Sequence, residues 1–236
     1  MTRPRIVLIS SPFVGRTTWT PVARTLRGLG WDVPESVRAS PQDVGPPYYA
    51  ALARRIASRV EVDVQAPLVL IAHSGAGGLL PSVAEAIGAG VRAAILVDAI
   101  LPHPGRSWFQ TAPAGLVARL RSRVGEGRLP PWNQWFPPET LANLLPDLAA
   151  RDDFVAELDA VPAAYCDETA PVCPHWPPPD CGYLQLSNGY ADEANLAVSM
   201  GWLFRRDIIH HLATMTHPDR VAASLQSMIR ALTDSP

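Results

Sequence analysis

Three runs of the chain are apolar without alternation: Ile6-Val7-Leu8-Ile9, Leu68-Val69-Leu70-Ile71-Ala72 and Ala93-Ala94-Ile95-Leu96-Val97. A strand with one wet face alternates polar and apolar side chains. A strand that does not alternate has to be covered on both faces, as in a parallel sheet packed between helices. Helix-periodic stretches separate these runs. WTPVARTLRGLG follows the first, with Gly28 and Gly30 as stop signals, and AGGLLPSVAEAIGAG follows the second. YYAALARRIASRV places Tyr49, Leu52, Ile56 and Val60 on one side of a further helix. Trp31-Asp32-Val33, ending at Pro34, reads as a short strand. The alternation of strand and helix predicts an α/β fold with a mostly parallel central sheet flanked by helices.

From Pro102 to Cys181 the character changes, because fourteen of the 25 prolines and four of the seven tryptophans fall there. This region reads as an insertion. Short helices are expected in AGLVARLRSRV and in PETLANLLPDLAARDDFVAELDAV, with a turn near Ser107–Gln110. The sheet resumes with CGYLQLS, followed by a helix in ADEANLAVSMG, a strand in WLFRRD and a last helix in PDRVAASLQSMIRAL after Pro218. At 236 residues with 47% hydrophobic content, the expectation is one domain over residues 1–236 with an inserted cap at about 103–180.

Composition narrows the function classes. A net charge of -2, with scattered arginines, leaves no basic footprint for nucleic acid. All 20 basic side chains are arginine, so a lysine nucleophile is excluded. The apolar core of MTRPRIVLISS is too short for a signal peptide or a membrane span, which predicts a cytoplasmic protein with no membrane partner. Cys166, Cys173 and Cys181 are odd in number, and their spacing around His175 is not that of zinc knuckles or ribbons. No metal and no cofactor is expected, and the oligomeric state is left open.

The chemistry concentrates at Ala72-His73-Ser74-Gly75-Ala76. A serine between small residues at -2 and +2, after an apolar strand and before a helix, suits a sharp turn that lifts the hydroxyl clear of the sheet. Small residues are equally what any tight strand-to-helix turn needs, so the rest of the chain has to decide. Of the six histidines, His210, His211 and His217 lie between the last strand and the last helix.

HHLATMTHPDRVAASLQSMIRAL is similar to the end of many α/β-hydrolases, in which a histidine-leucine pair precedes a proline and a final helix. RIVLISSPFVGRTTWTPVARTLRGLGWDV resembles their first strand, oxyanion loop and first helix, with Pro12-Phe13 where His-Gly commonly stands. The resemblance covers residues 3–102 and 181–235. It implies an α/β-hydrolase fold with a helical cap between the family's sixth and seventh strands, Ser74 as nucleophile and His211 as base. The implied oxyanion donors are the N–H groups of Gly75 and of Phe13 or Val14. The family's usual acid position falls on Tyr190. Asp98, after AAILV, and Asp192, in YADEA, remain as acids, and Asp98 is preferred because ADEA reads as a helix start.

In the insertion, Trp108, Phe109, Trp132, Trp135, Phe136 and Trp176 either close its own core or line an apolar cleft, and His103 and Arg106 either touch substrate or belong to the loop. Trp108, Trp132, Trp135 and His103 are the substrate-binding candidates. The implied function is that of a serine hydrolase or acyl-transfer enzyme for a small hydrophobic ester, lactone or thioester in bacterial secondary metabolism. A lyase, isomerase or cyclase using the same cavity, and a catalytically silent binding protein, are the alternatives.

Overall fold

A computed structural model describes residues 3–63 and 66–234. The sheet begins with β1 (Arg5–Ile9), and helix α1 (Thr20–Gly28) follows a loop and a 3-10 turn. Helix α2 (Tyr48–Ala57) precedes β2 (Leu68–His73), and a 3-10 turn over Ser74–Leu79 leads into α3 (Leu80–Ile87) and then β3 (Val91–Val97). Trp31–Val33 is not a regular strand. Asp32 and Val37 make single parallel bridges to Arg5 and Ile9, because Pro34 interrupts the ladder between them.

After β3 the chain leaves the sheet for α4 (Trp108–Thr111), α5 (Ala114–Arg121), β4 (Arg128–Leu129), α6 (Pro138–Leu144), α7 (Leu148–Ala156), β5 (Val161–Pro162) and α8 (Ala163–Asp167). β4 and β5 pair as a small antiparallel ribbon. The stretch PETLANLLPDLAARDDFVAELDAV holds two short helices, since Pro146 blocks continuation and the Asp147 carboxylate caps α7 at Ala150 N–H, 2.8 Å away. The expected turn at Ser107–Gln110 is closed by a capping box that opens α4. The chain then returns to the sheet with β6 (Asp180–Gln185), α9 (Ala191–Ser199), β7 (Leu203–Arg206), α10 (Ala213–Thr216) and α11 (Pro218–Thr233).

The five strands run parallel in the order β1-β2-β3-β6-β7. Strands β1, β2 and β3 divide their side chains between two cores. Val7, Ile9, Leu70, Ala72, Ala94 and Leu96 meet α2, α3 and the inserted segment. Ile6, Leu8, Val69, Ile71, Ile95 and Val97 meet α1 and α11 on the other face. This two-sided burial is the physical reason for the unalternating sequence runs. Edge strand β7 instead ends in exposed Arg205 and Arg206, charges that discourage further pairing.

Register aligns the strand ends. Ile9 pairs with Ala72, Ala72 with Leu96 and Leu96 with Tyr183, so residues 10–13, 73–74, 97–98 and 185–187 emerge along one edge. The carboxyl edge of a parallel sheet is where ligands bind in open α/β folds. The segment between β3 and β6 is fastened to the rest of the chain by Glu157, which accepts from Thr17 N–H and Oγ1 at 2.9 and 2.8 Å, and by the Arg38–Asp159 ion pair. Glu168 accepts from Tyr48 and Tyr49 N–H at 2.7 and 2.9 Å, satisfying orphan donors at the start of α2. Glu168→Ala is expected to cost about 1–2 kcal/mol, read as a lower urea midpoint at unchanged slope.

Candidate active site

Ser74 stands at the turn between β2 and the 3-10 segment with φ of 58°, a left-handed conformation that non-glycine residues adopt at a cost. Its surroundings enforce the turn. Ala72 and Ala76 are fully buried, and a Cβ at Gly77 would lie 2.0 Å from the Ile100 carbonyl oxygen. Only glycine allows that approach. Ile100 N–H in turn donates to the Ser74 carbonyl at 3.2 Å, tying the loop after β3 to the turn.

Ser74 Oγ lies 3.1 Å from His211 Nε2, and His211 Nδ1 lies 2.8 Å from Asp98 Oδ2. His211 reaches this place because Asp207 and Ile209 N–H groups bond the Gln185 and Leu186 carbonyls, carrying the chain past β7 along the same sheet edge. Asp98 has no solvent exposure and a φ of 43°. Leu186 N–H, Ser187 N–H and Ser187 Oγ donate to its carboxylate at 2.9, 2.8 and 2.7 Å. Burial alone would raise its pKa, but the bonds from His211, Ser187 and Leu186 outweigh burial and hold the carboxyl below its ordinary value. The Tyr183 hydroxyl donates to the Ala99 carbonyl at 2.7 Å and accepts from its N–H at 3.1 Å, which fixes the turn behind Asp98.

Three rings face His211, Trp132 the most distant at 6.4 Å between centroids. His73 stacks at 4.6 Å between centroids and donates from Nε2 to the His211 carbonyl at 3.0 Å. Tyr190 stacks at 5.0 Å, nearly parallel at 12°. Beyond them opens a cavity of about 370 Å³ that reaches Ser74, Gly75, Tyr190, Glu193 and His211 and is walled by Phe13, Trp108, Trp132, Trp135, Phe136 and Leu144. Phe13 packs edge-on to Trp108 and Trp135, so the loop after β1 and the inserted segment share one aromatic wall.

The fold is shared with solved structures. An extracellular alpha/beta-hydrolase from a Paenibacillus species superposes with a TM-score of 0.74 at 18% identity, covering 95% of this chain and 98% of that one. Tomato methylketone synthase I, complexed with 2-tridecanone, gives 0.73 at 13% identity over 99% of this chain and 100% of the other. A pyrethroid hydrolase, PytH, gives 0.72 at 15% identity with the same coverage. The fold is that of the α/β-hydrolases. No protein-family model and no curated protein sequence matches the chain.

Within this α/β-hydrolase fold, the structure brings together Ser74, His211 and Asp98, and it places Trp108, Trp132 and Trp135 on the cavity wall. Asp192 stands apart, exposed in the first turn of α9. Gly75 N–H lies in the first turn of the 3-10 segment, where no intrahelical acceptor exists for it. Phe13 N–H makes only a long 3.4 Å contact with Ser11 Oγ and is available to a ligand. Val14 is corrected as an oxyanion donor, since its N–H is already bonded to the Ser11 carbonyl at 3.1 Å.

His103 is also corrected. It is buried away from the cavity, with Nε2 3.0 Å from the Tyr49 hydroxyl and Nδ1 3.2 Å from the Leu101 carbonyl, in space left open by Gly78. Arg106 is exposed and donates to the Gln110 carbonyl. Phe109 and Trp176 pack outside the cavity. His210 and His217 both reach Thr216 Oγ1 at 2.9 Å. His175 pairs with exposed Glu85 at 3.0 Å, and the three cysteines are unpaired thiols. Ser187, His73 and Tyr190 were not singled out as site residues from sequence. Their position at the carboxyl ends of β2 and β6 was the available signal.

Burial, reinforced by the neighbouring His211, pushes His73 down to about 3, so it is neutral in the folded protein. In the unfolded chain the same imidazole takes a proton near pH 6.5, so acid favours unfolding. The loss is about 1.4 kcal/mol per pH unit below that point until the folded His73 itself titrates. His73→Gln is therefore expected to lose about 2 kcal/mol less than wild type between pH 7 and pH 5, measured by urea unfolding.

Proposed function

We propose that this chain is a serine hydrolase or acyl-transfer enzyme for a small hydrophobic ester, lactone or thioester, with the segment between β3 and β6 as its cap. The observation that carries the reading is the hydrogen-bonded series Ser74–His211–Asp98 opening onto an aromatic-walled cavity. His211 Nε2 takes the serine proton as Oγ attacks the carbonyl carbon, and the imidazolium is held by the ionised Asp98. Gly75 and Phe13 N–H groups receive the oxyanion. Nε2 then passes its proton to the departing alkoxide or thiolate, and a water or acceptor alcohol repeats the sequence to release the acyl group.

The cavity supports the choice of substrate. Its walls are mainly tryptophan, phenylalanine and aliphatic side chains, and Glu193, whose carboxyl burial pushes above its ordinary pKa, is the one acidic side chain among the lining residues. An anionic acyl group would meet that carboxylate, so neutral acyl groups are favoured. The pyrethroid hydrolase among the structural neighbours is in keeping with a hydrophobic ester. Unpaired thiols at Cys166, Cys173 and Cys181 accord with a reducing, cytoplasmic setting.

A fluorophosphonate probe is expected to label wild type and not Ser74→Ala; a folded wild type that stays unlabelled would sink the reading. With p-nitrophenyl esters, Asp98→Asn should lower kcat about 10³–10⁴-fold, because the imidazole loses the partner that fixes its tautomer. Asp192→Asn should stay within about twofold of wild type, as expected for a surface position. A large loss in Asp192→Asn alone would reverse the acid assignment.

A further inference from the structure

Tyr190 touches two members of the series at once. Its hydroxyl lies 3.4 Å from Ser74 Oγ, and its ring lies nearly parallel to the His211 imidazole. Among the described residues, Ser74 Oγ is the only hydrogen-bond partner of that hydroxyl. The ring enters from the 3-10 turn Asn188–Tyr190 that links β6 to α9, and it forms part of the cavity wall beside Ser187 and Glu193.

The proton inventory decides which way the contact runs. Asp98 accepts from His211 Nδ1–H, so Nε2 carries the lone pair and accepts the Ser74 proton. Ser74 Oγ is then left with acceptor capacity only, and Tyr190 O–H is the donor. Burial, the largest influence on the phenol, raises its pKa and keeps that proton in place at neutral pH. The oxyanion loop adds a reason for an extra donor, since Pro12 has no N–H and that of Val14 is spent within the loop.

We propose that Tyr190 is a catalytic residue of the hydrolase or transferase reaction, its hydroxyl donating to Ser74 Oγ and its ring holding the His211 imidazole in line. The proposal rests on the reading of Ser74 as an acyl-group nucleophile. When Ser74 gives its proton to His211, the charge gathering on Oγ shortens the contact with Tyr190, as catalytic hydrogen bonds do on leaving the free state. When the acyl-enzyme breaks down, the bond between the acyl carbon and Oγ is cleaved and its electron pair returns to Oγ, again beside the Tyr190 donor. Tyr190 keeps its own proton throughout, and the travelling proton passes only between Ser74, His211 and the leaving or entering group.

Tyr190→Phe keeps the stacking ring and removes the hydroxyl, whereas Tyr190→Leu removes both. With p-nitrophenyl butyrate and a fluorophosphonate, Tyr190→Phe should lower kcat and the labelling rate about tenfold at nearly constant KM. Tyr190→Leu should lose about tenfold more, as an aromatic contact is also lost. Tyr190→Phe within about twofold of wild type in both assays, or a change confined to KM, would overturn the hydroxyl's role.

The ring's role is read without turnover from the downfield Nδ1–H proton resonance of His211 in its bond to Asp98. It should persist in Tyr190→Phe and broaden away in Tyr190→Leu, and persistence in both would overturn the ring's role. The groups facing His211 in this measurement are Asp98, His73, His210, Ser74, Tyr190 and Trp132. Failure of wild type to label or hydrolyse any ester refutes the nucleophile reading, and the hydroxyl's role with it; the imidazole resonance still reports the ring.

Discussion

A carboxylate shut away from solvent at the end of β3 joins the separate parts of this site. Asp98 spends both oxygens on groups from other elements: Leu186 and Ser187 after β6, and His211 after β7. An isolated buried charge would cost several kcal/mol, so the carboxylate is tolerable only while those donors stay in place. The same bonds that keep it ionised therefore hold three strand ends in register. The site is as well ordered as the sheet edge because one charge demands it.

The second constraint is aromatic. Phe13 belongs to the loop after β1, and Trp108 and Trp135 belong to the segment after β3, yet the three rings pack within 6 Å of one another. Glu157 bonds the same loop at Thr17, and Glu168 bonds the start of α2. Several short helices, which could not be stable alone, thereby acquire a fixed place over Ser74. The cavity is a product of that docking rather than of any one helix.

Sequence made the sheet legible because its strands are buried on both faces, and short unalternating apolar runs between helical stretches suit little else in a folded chain. Ser74 and His211 were legible for a related reason: each is set by neighbours close in the chain, a small-residue turn in one case and a histidine-leucine pair before a helix in the other. His103 was not, since its environment depends on Tyr49, 54 positions away, and on space left by Gly78. Val14 failed as a donor because a backbone turn consumes its N–H, and side-chain identity carries no trace of that. The short helices of PETLANLLPDLAARDDFVAELDAV were legible in their periodicity, and Pro146 stands at the joint between them. Tyr190 stood at the position where an acid was expected, so sequence marked the place while the stacking against His211 had to come from the structure.

The left-handed backbone at Ser74 restricts which side chains can stand at this turn. A β-branched residue fits poorly at positive φ, so threonine, although it bears the same hydroxyl, would be torsionally strained there. Cysteine has no such branch and would fit the turn. The turn that lifts the serine from the sheet thus also filters its occupant by side-chain shape, leaving oxygen-to-sulfur exchange as the substitution that the backbone accommodates.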